Sequence, residues 1–306
     1  MDEAAENRVV GKERSKGLAP GEMPSMNLKL ATGDYSFPSL EWQQALRLAR
    51  DIGVEGVDIA LFAGRSHLRP ADVLRAPSSA AAQISTTLRQ HDLEVAGVFG
   101  QPGTVFEENA MNHPDPAVRA KATEFFYRIL EFTARCNSSH LTLLPGVHFP
   151  AESHQDSLKR AGEELSWRTE TAKKVGVVVC VEPHIGSLVP TPDLARKLLD
   201  LVPGLTLALD YSHFTYQGIS DDEIEPLLNF AAHFHARGAC HGKLQASMTH
   251  NTIDFARAVR SLKKINYSGY IVLEYVWTEW MQCNQVDNLT ETIRLRDLLI
   301  AAGREI

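Results

Sequence analysis

The sequence has few cysteines, no long hydrophobic run and no excess of basic residues. Its 306 residues include four cysteines (Cys136, Cys180, Cys240 and Cys283) without CxxC spacing, so reduced thiols are expected instead of a disulfide scaffold. No stretch approaches the roughly 18 apolar residues of a membrane span, and no apolar core of a signal peptide is seen near Met1. The net charge of −7 disfavours a basic nucleic-acid surface. We therefore expect a cytoplasmic protein without nucleic-acid or membrane partners.

A glycine-rich phosphate turn is also missing after every predicted strand, which disfavours a doubly wound nucleotide-binding sheet. Residues 1–25 lack apolar periodicity and are predicted to be a flexible extension. From 26 to 306 the pattern alternates strand and helix eight times, which predicts one (β/α)8 TIM barrel. The predicted strands are 28–32, 55–60, 94–99, 140–144, 177–182, 205–210, 232–236 and 270–274. The predicted helices are 39–52, 71–91, 116–136, 153–174, 192–202, 222–230, 252–265 and 287–302.

Four short hydrophobic runs in the second half end on side chains that bind metals. They lead into Glu182, Asp210, His235 and Glu274. The carboxyl ends of barrel strands meet at one rim, where catalytic groups collect. Three carboxylates and one imidazole suit Mn²⁺, Mg²⁺ or Co²⁺ better than a structural zinc. His233 lies two residues before His235 and faces the same side of a strand, so either histidine qualifies as the ligand.

The order of these motifs resembles that of the xylose isomerase-like TIM barrels. The motifs are Val-Glu182-Pro-His184, Leu-Asp210-Tyr-Ser-His213, His233-Phe-His235 and Gly269-Tyr-Ile-Val-Leu-Glu274. The likeness extends from about 27 to the end of the chain, and Asp58 matches the acidic residue that closes the second strand. The superfamily holds sugar isomerases and epimerases, hydroxypyruvate isomerase, inosose dehydratase and endonuclease IV.

The resemblance implies one divalent ion, Mn²⁺ first, with Mg²⁺ or Co²⁺ as alternatives. It implies Glu182, Asp210, His235 and Glu274 as ligands, with His235 favoured over His233. Glu182 and Glu274 would also exchange protons with the substrate through a metal-stabilised enediolate. His213 would act on the substrate side, as the third catalytic residue.

The chain departs from the family after His235, where many members carry an acidic residue. Here Arg237, His241 and Lys243 supply cationic or donor groups instead. These residues form either a solvated loop or a pocket for anionic or hydroxyl-rich groups. The aromatic loop at Trp277 is either a surface on which a sugar packs or a contact between subunits. The substrate-binding residues predicted on these grounds are His184, Arg237, Lys243, His148 and Trp277, with Arg65 and His67 as further rim residues. Arg237 and Lys243 are expected to bind substrate and not to stabilise the fold.

Several functions are compatible with these residues. The first is a metal-dependent isomerase or epimerase acting on a ketose, aldose or related small carbohydrate, as a homo-oligomer or a subunit of a larger complex. The second is a lyase that uses the same site for β-elimination on a keto sugar, either inosose dehydration or 3-keto glycoside cleavage, including C-glycoside deglycosylation. Two further functions are disfavoured. A repair endonuclease would need more metal ligands and a basic groove, and a barrel that only binds a partner would not need the set of metal ligands. The sequence therefore favours the first two functions.

Overall fold

The computed structural model describes residues 28–304, and the predicted extension 1–25 lies outside this range. Eight parallel strands close into a barrel in sequence order, which confirms the predicted (β/α)8 fold. The strands are β1 Lys29–Gly33, β2 Gly56–Phe62, β3 Glu94–Gln101, β4 His140–Leu143, β5 Val178–Val181, β6 Thr206–Asp210, β7 Ala231–Ala236 and β8 Tyr270–Leu273. Every residue of β2 is buried, as expected for a strand covered on both faces.

Ten α-helices and three 3₁₀ turns connect the strands of residues 28–304. The helices are α1 Trp42–Ile52, α2 Pro70–Arg75, α3 Pro77–Arg89, α4 Pro116–Arg135, α5 His154–Lys173, α6 Pro192–Leu201, α7 Ser212–Thr215, α8 Asp221–Ile224, α9 Phe255–Lys264 and α10 Asn288–Arg304. The 3₁₀ turns are Asp34–Ser36, Glu225–Phe230 and Trp280–Gln285. None of these helices is long and apolar enough to cross a membrane.

Local capping explains several helix boundaries. Asp115 and Thr191 accept hydrogen bonds from the first turns of α4 and α6, each with proline at the first helical position. Ser220 and Glu223 form a capping box at α8. Gly53 ends α1 with φ of 84°, a left-handed conformation that glycine adopts without steric cost.

Four predicted helices differ from the structure in their extent. The helix predicted for 252–265 begins at Phe255, after the capping residue Asp254. The helix predicted from 39 begins at Trp42, because Glu41 and Gln44 form the capping box there. The helix predicted for 71–91 is two helices, since Pro77 lacks the N–H needed to continue the first one. The helix predicted for 222–230 is the short α8 followed by a 3₁₀ turn that contains Pro226.

The apolar core fills the space between the strands and the surrounding helices. All four cysteines lie in the described residues and are free, with Cys136, Cys180 and Cys283 buried. The barrel interior, in contrast, contains a layer of histidines and carboxylates, and this layer leads to the candidate site.

Candidate active site

A cavity of about 330 Å³ opens at the carboxyl ends of the barrel strands. Glu182 and Glu274 directly follow β5 and β8, Asp210 is the last residue of β6, and His235 lies in β7. In the barrel, Asp210 pairs in register with His235. The residues at the cavity surface include Tyr35, Arg65, Gln101, Glu182, His184, His213, Arg237, Glu274 and Trp277. Asp210 and His235 lie directly beneath them and are fully buried.

A chain of four polar residues, here called the floor chain, runs from the barrel interior to the cavity. His233 Nε2 and His235 Nε2 each lie 3.1 Å from the same oxygen of Asp58. His235 Nδ1 lies 2.7 Å from Glu182 Oε1. Asp58, the acidic residue matched to the second strand in the sequence analysis, lies within β2 and orients the ring of His235 so that Nδ1 faces the cavity.

Gly97 leaves room for the floor chain. It pairs with Asp58 across β2 and β3, and a Cβ at this position would overlap Asp58 Oδ1 and lie 3.1 Å from His233 Nε2. Any larger residue would push Asp58 away from the two histidines. The glycine is therefore a steric requirement of the polar barrel interior, since close-packed interiors have little room to adjust.

Charges in the floor chain shift the pKa values of its members. Burial opposes ionisation of Asp58, but the charges of and hydrogen bonds from His233 and His235 outweigh it and hold the pKa of Asp58 below its usual value. Burial also opposes charge on His235, but Glu274, Asp58 and Glu182 together raise its pKa well above the usual value. Both ring nitrogens of His235 lie within hydrogen-bonding distance of carboxylate oxygens, and a metal at Nδ1 would take the place of a proton there.

Arg237 lies beside the floor chain, in a second polar cluster. Its Nη2 donates to Asp210 Oδ2 at 2.7 Å, and its Nε donates to Ser212 Oγ at 2.9 Å. The same Nη2 lies 3.1 Å from His213 Nε2. Burial lowers the pKa of His213, and the charge of Arg237 lowers it further. His213 is thus a neutral imidazole beside a fixed guanidinium.

Glu274 connects the two clusters. Its Oε1 accepts a hydrogen bond of 2.6 Å from the Tyr35 hydroxyl and lies 3.6 Å from His235 Nδ1. Its Oε2 lies 3.4 Å from Arg237 Nη2, yet it is buried and accepts no hydrogen bond from the described residues. Tyr35 was missed in the sequence, because it follows β1 on a turn without a recognisable motif.

The structure brings most of the predicted site residues together, but two lie apart. Glu182, His184, His213, Arg237, Glu274 and Trp277 line the cavity. Lys243 is exposed and lines a separate depression with Gln245 and Glu291. His148 is exposed, and its Nε2 lies 3.1 Å from the Glu152 carbonyl oxygen. Of the other rim residues, Arg65 lines the cavity, and His67 Nε2 lies 2.8 Å from the Leu40 carbonyl oxygen.

The outer wall of the cavity is aromatic. Phe106 packs against His184 with ring centroids 4.5 Å apart and meets Trp280 edge to face at 6.1 Å. Trp277 also lines the cavity, and the buried Phe62 and Phe99 pack near Tyr35 and His235. Sequence analysis singled out the loop of Trp277, but Phe106 and Phe62 carried no signal that distinguished them from core residues. The cavity therefore has a charged floor and an apolar mouth.

The buried acidic and histidine groups could bind a metal ion. Oxygen and nitrogen atoms of Glu182, His235 and Glu274 all lie within 4.8 Å of one another, and so do those of Glu182, Asp210 and His213. The first set fits an ion well because Asp58 orients His235 Nδ1 toward it, the usual arrangement around a metal-binding histidine. The unpartnered Glu274 Oε2 offers a further donor atom. Asp58, His233 and His235 form a third such set, within the barrel interior.

Comparison with solved structures shows the same fold in several enzymes of low sequence identity. D-psicose 3-epimerase from Clostridium cellulolyticum H10, with D-tagatose, is 15% identical, with a TM-score of 0.69 over 90% of this chain and 99% of that chain. The 3-keto-D-glucoside 4-epimerase from E. coli is 17% identical, with a TM-score of 0.66 over 89% and 100%. A probable 3-DHS dehydratase from Bacillus anthracis is 14% identical, with a TM-score of 0.65 over 88% and 99%.

The family assignment has independent support. A search of curated proteins gave no match. The family model described as xylose isomerase-like TIM barrel, however, matches residues 46–298, which is most of the chain. The resemblance found in the motifs is thereby confirmed, and the chain belongs to the xylose isomerase-like TIM barrel family.

Proposed function

We propose that the protein is a divalent-metal-dependent isomerase or epimerase of a small carbohydrate, a ketose, an aldose or a related sugar. The observation that carries this proposal is the meeting of Glu182 and Glu274 at one imidazole. His235 Nδ1 lies 2.7 Å from Glu182 and 3.6 Å from Glu274, and both carboxylates reach the cavity. The structural relatives include 3-epimerases and a 4-epimerase of sugars, which supports this class of reaction.

The two carboxylates would carry the proton transfers. One glutamate removes the proton from the carbon beside the substrate carbonyl, and the other returns a proton to the opposite face or to the adjacent carbon. Burial raises the pKa of Glu182, which favours proton uptake from a weak carbon acid. Tyr35 holds Glu274 in place through its hydrogen bond. His213 and His184 would orient substrate hydroxyl groups, while the aromatic wall excludes water.

The ion proposed here is Mn²⁺, with Mg²⁺ and Co²⁺ as alternatives, held by Glu182, His235 and Glu274. When bound, it supplies Lewis-acid stabilisation of the negative charge that develops on the substrate oxygen. Asp210, the fourth ligand predicted from the sequence, lies beside these residues in the Arg237 cluster. We also propose that the protein is a homo-oligomer or a subunit of a larger complex. We propose a cytoplasmic location and no nucleic-acid or membrane partner.

The lyase alternative keeps the same first step. After proton removal, the substrate would expel its β-substituent, as in dehydration of an inosose or cleavage of a 3-keto glycoside, including a C-glycoside. The apolar mouth formed by Phe106, Trp277 and Trp280 favours this alternative, because aromatic side chains pack well on an apolar aglycone. A dehydratase is also among the structural relatives.

We expect about one equivalent of a divalent ion in protein purified without chelator. Elemental analysis measures its identity and amount. Glu274→Gln should lower the occupancy, since it removes an anionic ligand, whereas Glu170→Gln on the exposed face of α5 should leave it unchanged. Wild-type protein without Mn, Mg, Co, Zn or Fe would contradict the metal assignment.

The reaction class is tested by turnover in deuterium oxide. Ketoses, aldoses and 3-keto glycosides are supplied as substrates, and products are analysed by mass and by NMR. Proton transfer through a glutamate should place solvent deuterium on the carbon beside the carbonyl. An isomerase or epimerase product otherwise keeps the substrate mass, and a lyase product is smaller. An isomer formed at full rate without solvent deuterium, with a substrate deuterium label that migrates intact, would indicate a hydride shift and exclude the proposed role of the two glutamates.

A further inference from the structure

Arg237 is buried at the centre of the site, although it follows β7 where a rim loop was predicted. Its side chain is 4% exposed. Nε and Nη2 are fixed by Ser212 and Asp210, and Nη2 also lies 3.1 Å from His213 Nε2. Nη1 makes no hydrogen bond to the described residues, and the side chain lines the cavity. Arg237 therefore has one side bound to protein and one side available to a substrate.

The site contains two adjoining sets of atoms that could bind a metal ion, and Glu182 belongs to both. The set of Glu182, Asp210 and His213 already holds a cation, because the Arg237 guanidinium contacts Asp210 and His213 directly. An ion placed there would lie against a permanent positive charge. In the set of Glu182, His235 and Glu274, Arg237 Nη2 lies farther away, 3.4 Å from Glu274 Oε2. That oxygen accepts no hydrogen bond from the described residues, so it is available to an ion.

The hydrogen bonds of Asp210 are consistent with this division. Its Oδ1 accepts from the Ser212 N–H at 2.8 Å, and its Oδ2 accepts from Ser212 Oγ at 2.7 Å and from Arg237 Nη2 at 2.7 Å. A carboxylate has about four acceptor positions, so three of them are used. Every one of these bonds keeps Asp210 directed toward Arg237 and Ser212.

We infer that Asp210 is the counter-ion that positions Arg237 and is not a metal ligand. The ion of the proposed function is then held by three protein ligands, Glu182, His235 and Glu274. Arg237 Nη1 donates to a substrate oxygen beside Glu274, where a guanidinium stabilises developing negative charge. This inference rests on the proposed function, since it concerns the same ion and the same substrate.

The test is a Mn²⁺ titration of chelator-treated protein, followed by calorimetry or by electron paramagnetic resonance of free Mn²⁺. Glu274→Gln and His235→Asn should weaken Mn²⁺ binding by at least about tenfold, because each removes a ligand. Asp210→Asn should bind Mn²⁺ within about threefold of wild type but should lower kcat, because Arg237 loses its partner. Asp193→Asn on the exposed start of α6 is the control for both measurements.

The outcomes separate the inference from the proposed function. If Asp210→Asn weakens Mn²⁺ binding as much as Glu274→Gln does, Asp210 is a ligand, and the inference is wrong while the proposed function stands. If wild type binds no Mn²⁺, Mg²⁺ or Co²⁺, both are wrong. Should Asp210→Asn fail to fold, a crystal structure of Mn²⁺-loaded wild type decides. Asp210 still bonded to Arg237 and away from the ion supports the inference, and Asp210 bound to the ion overturns it.

Discussion

Replacing Glu182 with glutamine is expected to lower kcat by about 10²–10⁴-fold, the usual contribution of a general acid–base residue. Glutamine keeps the shape of the side chain and can still accept a hydrogen bond from His235, but it cannot take up a proton. Steady-state kinetics at saturating Mn²⁺ measure the effect. Saturation keeps a change in metal occupancy from being mistaken for a loss of proton transfer.

The paired variant Glu274→Gln assigns the two roles. The residue that removes the proton is required for every later step, so its variant should show neither product nor deuterium in recovered substrate. The residue that returns a proton acts afterwards, so its variant should exchange substrate hydrogen for deuterium without releasing an epimer. Mass spectrometry and NMR of substrate recovered from deuterium oxide distinguish these patterns.

A matched control separates these effects from a general loss of charge. Glu170→Gln changes the same chemical group on an exposed helix surface and should retain wild-type kcat and KM. If both Glu182→Gln and Glu274→Gln keep kcat within tenfold of wild type, neither residue transfers the proton. The reaction would then require a different pair of groups in the cavity.

The positions of the site residues along the strands could be predicted because parallel α/β barrels follow simple rules. An apolar run that leads into Glu182 or Glu274 predicts a buried strand. It also places the glutamate at the rim formed by the carboxyl ends of the barrel strands. Asp210 ends β6 and His235 lies one residue before the end of β7, as expected. Some helix starts were also predictable, because the capping residue directly precedes the helix in sequence, as Thr191 precedes α6.

The partners of these residues could not be predicted, because they depend on distances across the barrel. Arg237 was interpreted as a rim residue that binds substrate without stabilising the fold. However, Asp210 pairs in register with His235, and Arg237, two residues after His235, donates to Asp210 at 2.7 Å. Tyr35 is separated from Glu274 by 239 positions in sequence, yet they are hydrogen-bonded because β1 and β8 close the barrel. The sequence therefore indicated most of the charged groups at the site, but not Tyr35 and not which of the charged groups neutralise one another.

Replacing Arg237 with methionine is expected to destabilise the protein by about 3–5 kcal/mol, the cost of leaving a buried charge without its partner. Asp210 would keep its bonds to Ser212 but would lose the only guanidinium that contacts it among the described residues, and Glu274 would lose a cation 3.4 Å away. Urea unfolding of chelator-treated protein measures the free energy of unfolding without the contribution of bound metal.

The double variant Asp210→Asn with Arg237→Met should be more stable than the sum of the two single changes predicts, by about 1–3 kcal/mol. Removing both charges leaves no isolated carboxylate at Asp210, whereas each single change leaves one partner buried and unpaired. Arg75→Met, which breaks the exposed pair with Asp72, is the control and should cost less than about 1 kcal/mol. Additive single changes, or a loss at Arg237 no larger than at Arg75, would show that the guanidinium is not bound to Asp210 in the folded protein.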